Sequence, residues 1–244
     1  MRIVFFGTSH GVPEPHRRCS CTLIELGERR YFVDMGTNAM DELIDRGMAP
    51  DSVKAIFVTH MHGDHTNGLV PFIDLASWYF KTVRPTILMP EMQALEGLKI
   101  WLTANGTPYT GMDYRLTEPG EVYNDGFLRV SAFRTQHCAV SYSYLLEELS
   151  TGKKALFTGD LRGPEIDFPL DFLAQNPDLV VCEAAHFTAD RYLPVFRGCG
   201  AKKICVNHYG DNYGIENIHH IQELARALAP LPVLRASDGL EIAL

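Results

Sequence analysis

The stretch Val58-Thr59-His60-Met61-His62-Gly63-Asp64-His65-Thr66-Asn67-Gly68-Leu69 places three imidazoles and a carboxylate within six positions. Just before it, Ala55, Ile56, Phe57 and Val58 form an apolar run of the length expected for a buried strand rather than a helix. The donors therefore follow the C-terminal end of a strand. A turn at Gly63 lets His60 and His62 face one metal ion while Asp64 and His65 face a second. Imidazole and carboxylate together suit zinc, manganese or iron better than calcium or magnesium, because harder cations favour shells of oxygen alone.

The chain around this stretch has 244 residues, 46% of them hydrophobic, enough for a substantial core. No Ser/Gly/Pro-rich linker or charge block divides it, so one domain over residues 1–244 is expected. The first residues hold one basic side chain and a short apolar run ending at Gly7, too short for a signal-peptide core or a bilayer span. The expected location is the cytoplasm, with no membrane partner. Lys and Arg number 22 against 30 Asp and Glu, a net charge of −8, and the doublets Arg17-Arg18, Arg29-Arg30, Lys153-Lys154 and Lys202-Lys203 lie far apart in sequence. That pattern argues against a long nucleic acid, which binds through broad positive surfaces. The six cysteines include no Cys-x-x-Cys pair and are expected to be reduced.

Patterning predicts a strand at 3–6, a hairpin of 21–26 with 29–34, a helix over 38–46 and a strand at 55–58. It continues with a helix over 69–80, a strand at 86–89, a helix over 91–103 and a loop over 105–111. Further strands are expected at 127–133, 141–147, 155–157, 179–182 and 203–206, then a helix over 215–229 and closing strands within 233–244. Four of these strands end in candidate donors: the residues 60–65, His137, Asp160 and His208. Loops at strand C-terminal ends are where side chains converge in sheet-based enzymes.

His-x-His-x-Asp-His after a buried strand, with His137, Asp160 and His208 at later strand ends, resembles the metallo-β-lactamase superfamily. The likeness runs from Phe5-Phe6-Gly7-Thr8 to Asn207-His208-Tyr209. It implies an α/β protein with the four-layer αββα fold, two mixed β-sheets between helices. It also implies that His60, His62 and His137 hold one divalent ion, that Asp64, His65 and His208 hold the other, and that Asp160 bridges them. Zinc is the first expectation, manganese and iron the alternatives. Hydrolysis by a hydroxide held between two ions roughly 3.5–4 Å apart is the implied reaction. Asp34, at an Asp-x-Gly position, matches a residue that supports the metal loop from behind; on local sequence alone it reads equally as a cap for the following helix.

His62 stands where the oxygen-reducing di-iron branch carries Glu, which argues against that branch. A terminal helical extension of the glyoxalase II kind and an export signal of a secreted β-lactamase are also not expected. The opening Phe6-Gly7-Thr8-Ser9-His10-Gly11-Val12-Pro13 and the His208-Tyr209 pair are more similar to the ribonuclease Z branch, including its small relative, the cyclic phosphodiesterase of phosphonate breakdown. Ribonuclease Z clasps tRNA with an arm between the ligands matching His137 and Asp160, whereas this interval reads as a strand hairpin. The expected substrate is a small anionic phosphodiester, a cyclic nucleotide or short oligonucleotide. A lactone or other carboxylic ester on the same metals is the competing enzyme reading, and a metal-binding sensor or scaffold the reading of another class. A homodimer is expected from relatives.

Ribonuclease Z also uses a His-Glu-Ala-Thr segment whose His protonates the leaving oxygen while the Glu orients it. Here Cys182-Glu183-Ala184-Ala185-His186 puts cysteine in the place of that His. Either the loop re-aims His186 into the site or this proton donor is absent. Asp64 and His186 are the catalytic candidates, His10, Arg17 and Arg18 the candidate substrate contacts, and Asp34, Glu183 and Tyr209 the candidate supports.

Overall fold

Ile3, Val4, Phe5 and Phe6 are all buried, although alternate side chains leave opposite faces of a strand. Both faces must therefore be covered, and the fold covers them in four layers. The computed structural model describes residues 1–107 and 111–244, so the expected loop over 105–111 lies partly outside the described residues. The first half of the chain forms β1 Arg2–Gly7, β2 Cys21–Leu26, β3 Arg29–Met35, β4 Val53–Phe57, β5 Thr86–Met89 and β6 Asp113–Leu116. The second half forms β7 Gly120–Asn124, β8 Leu128–Thr135, β9 Ser141–Glu148, β10 Lys154–Phe157, β11 Leu179–Ala184, β12 Ile204–Tyr209, β13 Val233–Arg235 and β14 Glu241–Ala243.

These strands make two seven-stranded sheets, ordered β14-β1-β2-β3-β4-β5-β6 and β13-β12-β11-β10-β9-β8-β7. In the first, pairing is antiparallel from β14 to β3 and parallel from β3 to β6. In the second it is antiparallel from β7 to β10 and parallel from β10 to β13. Each parallel half aligns the C-terminal ends of its strands along one edge: the 60–65 loop follows β4, Asp160 follows β10 and His208 lies near the end of β12, while His137 follows β8 in the antiparallel half.

Three apolar cores separate the layers. Ile3, Phe5, Tyr31, Phe57, Tyr144 and Leu146 pack between the sheets. Val4, Phe6, Phe32 and Ile56 leave the other face of the first sheet and meet helices α1 Ala39–Asp45, α3 Leu69–Trp78 and α4 Met92–Ala104. Leu156, Val180, Ile204 and Val206 meet Tyr192, Phe196 and the last helix, α8 Ile218–Leu228. Four-residue helices α2 Gly63–Thr66, α5 Pro164–Asp167, α6 Leu170–Leu173 and α7 Leu193–Phe196 complete the chain, with short 3₁₀ turns between.

The expected strands and longer helices recur within a few residues, and the departures have physical causes. β6 and β7 were not expected. Each is an edge strand paired on one side only, and their half-exposed sequences lack the apolar run that marks an interior strand. The four-residue helices are too short for a helical period to register. The last helix begins at Ile218 rather than 215, because Asn217 is fully buried and spends its amide on Ala184 O, Phe187 O and Ala189 N. The helix expected over 69–80 ends at Trp78, and Tyr79, its C-cap, is 77% exposed.

Candidate metal centre

β4 hands the chain to the donor loop, and the second sheet grips it there. Tyr144 Oη donates to Val58 O at 2.8 Å, and Tyr142 N donates to Thr59 O at 2.9 Å. Gly36 then allows the loop's far side to pass close behind β3: a Cβ at Gly36 would stand 1.7 Å from Asp64 O. α2 opens at Gly63, which turns Asp64 and His65 inward.

Among the described residues, two groups of potential metal donors converge, His60, His62, His137 and Asp160 in one and Asp64, His65 and His208 in the other. In the first, His62 Nδ1 lies 3.0 Å from His60 Nε2 and 3.2 Å from His137 Nε2, and Asp160 Oδ2 lies 3.6 Å from each of those two Nε2 atoms. In the second, Asp64 Oδ2 is 3.5 Å from both His65 Nε2 and His208 Nε2. Asp160 reaches this group too, at 3.4 Å from His65 Nε2 through Oδ1 and 3.4 Å from His208 Nε2 through Oδ2. Ligands bonded to one tetrahedral ion at about 2.1 Å stand about 3.4 Å apart, so these spacings are those of metal shells. His65 Nε2 and Asp160 Oδ1 are buried without a hydrogen-bond partner, a costly state that a cation between them would resolve. The donor set fits two divalent ions.

Charge follows the same logic. Burial and the neighbouring His65 push the His60 imidazolium down to about 2, and burial also lowers His137, so both offer lone pairs at neutral pH. Burial opposes the Asp160 charge, but His208 and His65 hold its carboxyl well below the carboxylate range.

The ring nitrogens that face away from the donor groups are fixed from behind. His65 Nδ1 bonds Asp34 Oδ2 at 2.7 Å, and the same carboxylate accepts Thr59 N at 2.8 Å and the Thr59 hydroxyl. Asp34 therefore supports the donor loop, while the cap of α1 is Asn38. His208 Nδ1 lies 3.0 Å from Ser9 O, which can only accept, and 2.7 Å from Ser20 Oγ, so Nδ1 carries the proton and Nε2 is free for a metal. Asp34 and His208 both adopt left-handed backbone, φ 58° and 46°, which costs non-glycine residues about 1–3 kcal/mol each and concentrates at functional sites.

The loop after β11 brings the His186 ring to 4.5 Å from that of His137 and 6.4 Å from that of His208. Glu183 orients it through Nδ1 at 3.0 Å and also accepts Leu161 N and Ala185 N. Burial alone would lower the His186 imidazolium, but its hydrogen bond to Glu183 and the charges of Glu183 and Asp160 raise it to about 9.

Arg17 and Arg18, the candidate substrate contacts, are engaged with other groups of the chain. Arg17 stacks 3.7 Å over the Tyr209 ring and donates to Thr8 O and Tyr209 O, and Arg18 pairs with Glu42. His10 faces Glu14 at 3.2 Å, and Tyr209 is buried with its hydroxyl on Ala236 O. Two supports escaped the sequence reading, Thr59 and Ser20. Thr59 lies beside His60 and Ser20 between two of the six cysteines, but a hydroxyl carries no mark of its own.

Fold and site together define a metallo-β-lactamase-fold protein of the ribonuclease Z-like branch. The sequence model of the family described as anti-Pycsar protein Apyc1 matches residues 1–220, and the chain belongs to that family. It is similar to the ribonuclease Z of Limosilactobacillus fermentum, 32% identical over 157 residues that cover 61% of this chain and 49% of that protein. The chain thus spans about half the length of the curated relatives it matches. Among solved structures, the metallo-β-lactamase fold protein YhfI from Bacillus subtilis superposes with a TM-score of 0.81 at 16% identity, over 99% of this chain and 98% of that one. The short form of human tRNase Z gives 0.79 at 20% identity, over 100% and 99%. Both likenesses are likenesses of fold.

Proposed function

We propose that this protein is a dinuclear metal-dependent hydrolase of small phosphodiesters, with a cyclic nucleotide as the substrate class. One observation carries the reading: two donor groups share Asp160, and His186 lies against both. Divalent ions, zinc by preference, held by His60, His62, His137 and Asp160 and by Asp64, His65, His208 and Asp160 would neutralise phosphate charge and activate an attacking water.

Hydrolysis adds a hydroxyl to phosphorus, breaks one P–O ester bond and leaves an oxygen that needs a proton. Glu183 holds His186 by Nδ1, which leaves Nε2–H as the group to supply that proton. The charged imidazole favoured by Glu183 and Asp160 is the form able to donate. Asp64 acts in this scheme as a metal ligand. Substrate size follows from the chain between His137 and Asp160, which β9, a turn and β10 take up without an inserted arm. The net charge of −8 also disfavours a long polyanion.

A cytoplasmic location belongs to the same reading, in keeping with six free cysteines. So does a homodimer: α3 and α4 leave Trp78, Tyr79, Ile100 and Trp101 exposed, apolar surface of the kind interfaces cover. Sedimentation of Trp101→Glu beside the unmutated chain tests it, the variant being expected to run as monomer.

The function itself is tested by hydrolysis of a cyclic nucleotide, bis-p-nitrophenyl phosphate and a simple lactone, before and after chelation. Phosphodiester turnover abolished by chelation is expected. Turnover of the lactone alone would move the reading to carbonyl esters, and bound metal with no turnover would favour a sensor.

A further inference from the structure

We propose that Asp167 is a positioning residue for the first donor group, tying the loop that carries His137 to the loop that follows Asp160. The inference rests on the metal-centre reading above. Asp167 closes α5 and is buried. Its Oδ2 accepts Gln136 N at 2.6 Å, one residue before His137. Both oxygens accept Arg162 N at 3.1 Å, and Oδ1 accepts Gly163 N at 3.2 Å, two and three residues after Asp160.

All of these donors are backbone N–H groups, so the carboxylate fixes the path of two chain segments rather than the charge of a partner. Three donors need two acceptor oxygens, and ionised oxygens hold them more tightly than neutral ones. Asparagine keeps one oxygen and turns an NH₂ towards the remaining N–H groups.

The effect should fall on one donor group. Asp160 has further supports, since Leu161 N is held by Glu183 and β10 is paired on both sides by β9 and β11. His137 has no such strand pairing: it lies on the connection between β8 and β9, and Asp167 holds the residue before it. The second group rests on different residues, Asp34 behind His65 and Ser9 with Ser20 behind His208.

Zinc affinity, read by competition with a chromophoric chelator in two single-site backgrounds, tests this. His208→Ala weakens the second group and leaves the first; His62→Ala does the reverse. Adding Asp167→Asn is expected to weaken zinc binding about tenfold to a hundredfold in the His208→Ala background and less than about twofold in the His62→Ala background. Asp178→Asn is the control: this buried carboxylate accepts Lys154 N, Lys153 Nζ and Lys202 Nζ at the opposite end of β10, and its loss should leave both affinities unchanged. Should Asp167→Asn fail to fold, Asp167→Ser keeps a short oxygen acceptor and carries the same comparison. Equal losses in both backgrounds, or no loss in either, would overturn the role of Asp167 alone. Absence of zinc binding by the unmutated chain would overturn the metal-centre reading, and this inference with it.

Discussion

Asp160 is the side chain on which the two donor groups meet, and His186 is the one that stands over them without belonging to either. Their roles separate by experiment. His186→Gln removes the proton donor but no metal donor, so turnover of a cyclic nucleotide should fall about 10²–10⁴-fold with metal content unchanged. The loss should be smaller for p-nitrophenyl esters, whose leaving group needs no proton. Unchanged turnover of both would remove His186 from the chemistry. At this scale the seven donors were legible because imidazoles and carboxylates at strand ends form a one-dimensional pattern. The supports were less so. Ser20 reaches His208 across 188 residues, and no local pattern announces a partner that distant. The fate of His186 was open for the same reason: its direction is set by Glu183 and the loop's course, which the segment's spelling left undecided.

Among the elements, the tightest approach to the site is the passage of β3's end behind the donor loop. Alanine at Gly36 would set its Cβ against the backbone of Asp64 and Ser20, with no flexible side chain able to swing aside. Gly36→Ala is expected to destabilise the fold by more than about 2 kcal/mol in urea unfolding and to weaken zinc at the second group. A variant as stable as the parent would show that the loop has slack. Away from the site, burial would raise the Asp178 carboxyl, but Lys202, Lys154 N and Lys153 bring it down to about 2. A folded pKa below the unfolded value means that this stabilisation is complete above about pH 4 and is lost as pH falls towards 2. The stability gap between the parent and Asp178→Asn, about 1–3 kcal/mol at pH 7, should therefore narrow below pH ~4; a gap independent of pH would assign it to packing. The element plan was legible where strands are buried on both faces, and faded at the edges. β6 and β7 spend charged and polar residues on solvent, so their strand character comes from the neighbour they pair with.

For the whole molecule, metal ions would bind the folded chain and join loops from both sheets. Zinc at about a hundred times its dissociation constant should add roughly 2.7 kcal/mol per site, equivalent to about 5–10 °C in thermal midpoint for a chain of this size. Chelation should reverse it, and an unmoved midpoint would mean that the donor groups hold no ion. The αββα layering was legible through the resemblance that the donor motif carries, because patterning alone marks buried strands without saying how they divide between two sheets. The substrate was not, since it depends on the shape of rim loops that composition leaves undetermined. The most direct measurement is metal content and cyclic-nucleotide turnover on the same purified sample, for the parent chain and for Asp160→Ala. Two ions per chain and chelator-sensitive turnover in the parent, both lost together in the variant, are predicted. Full turnover by Asp160→Ala, or by a parent stripped of metal, would contradict the shared-carboxylate centre.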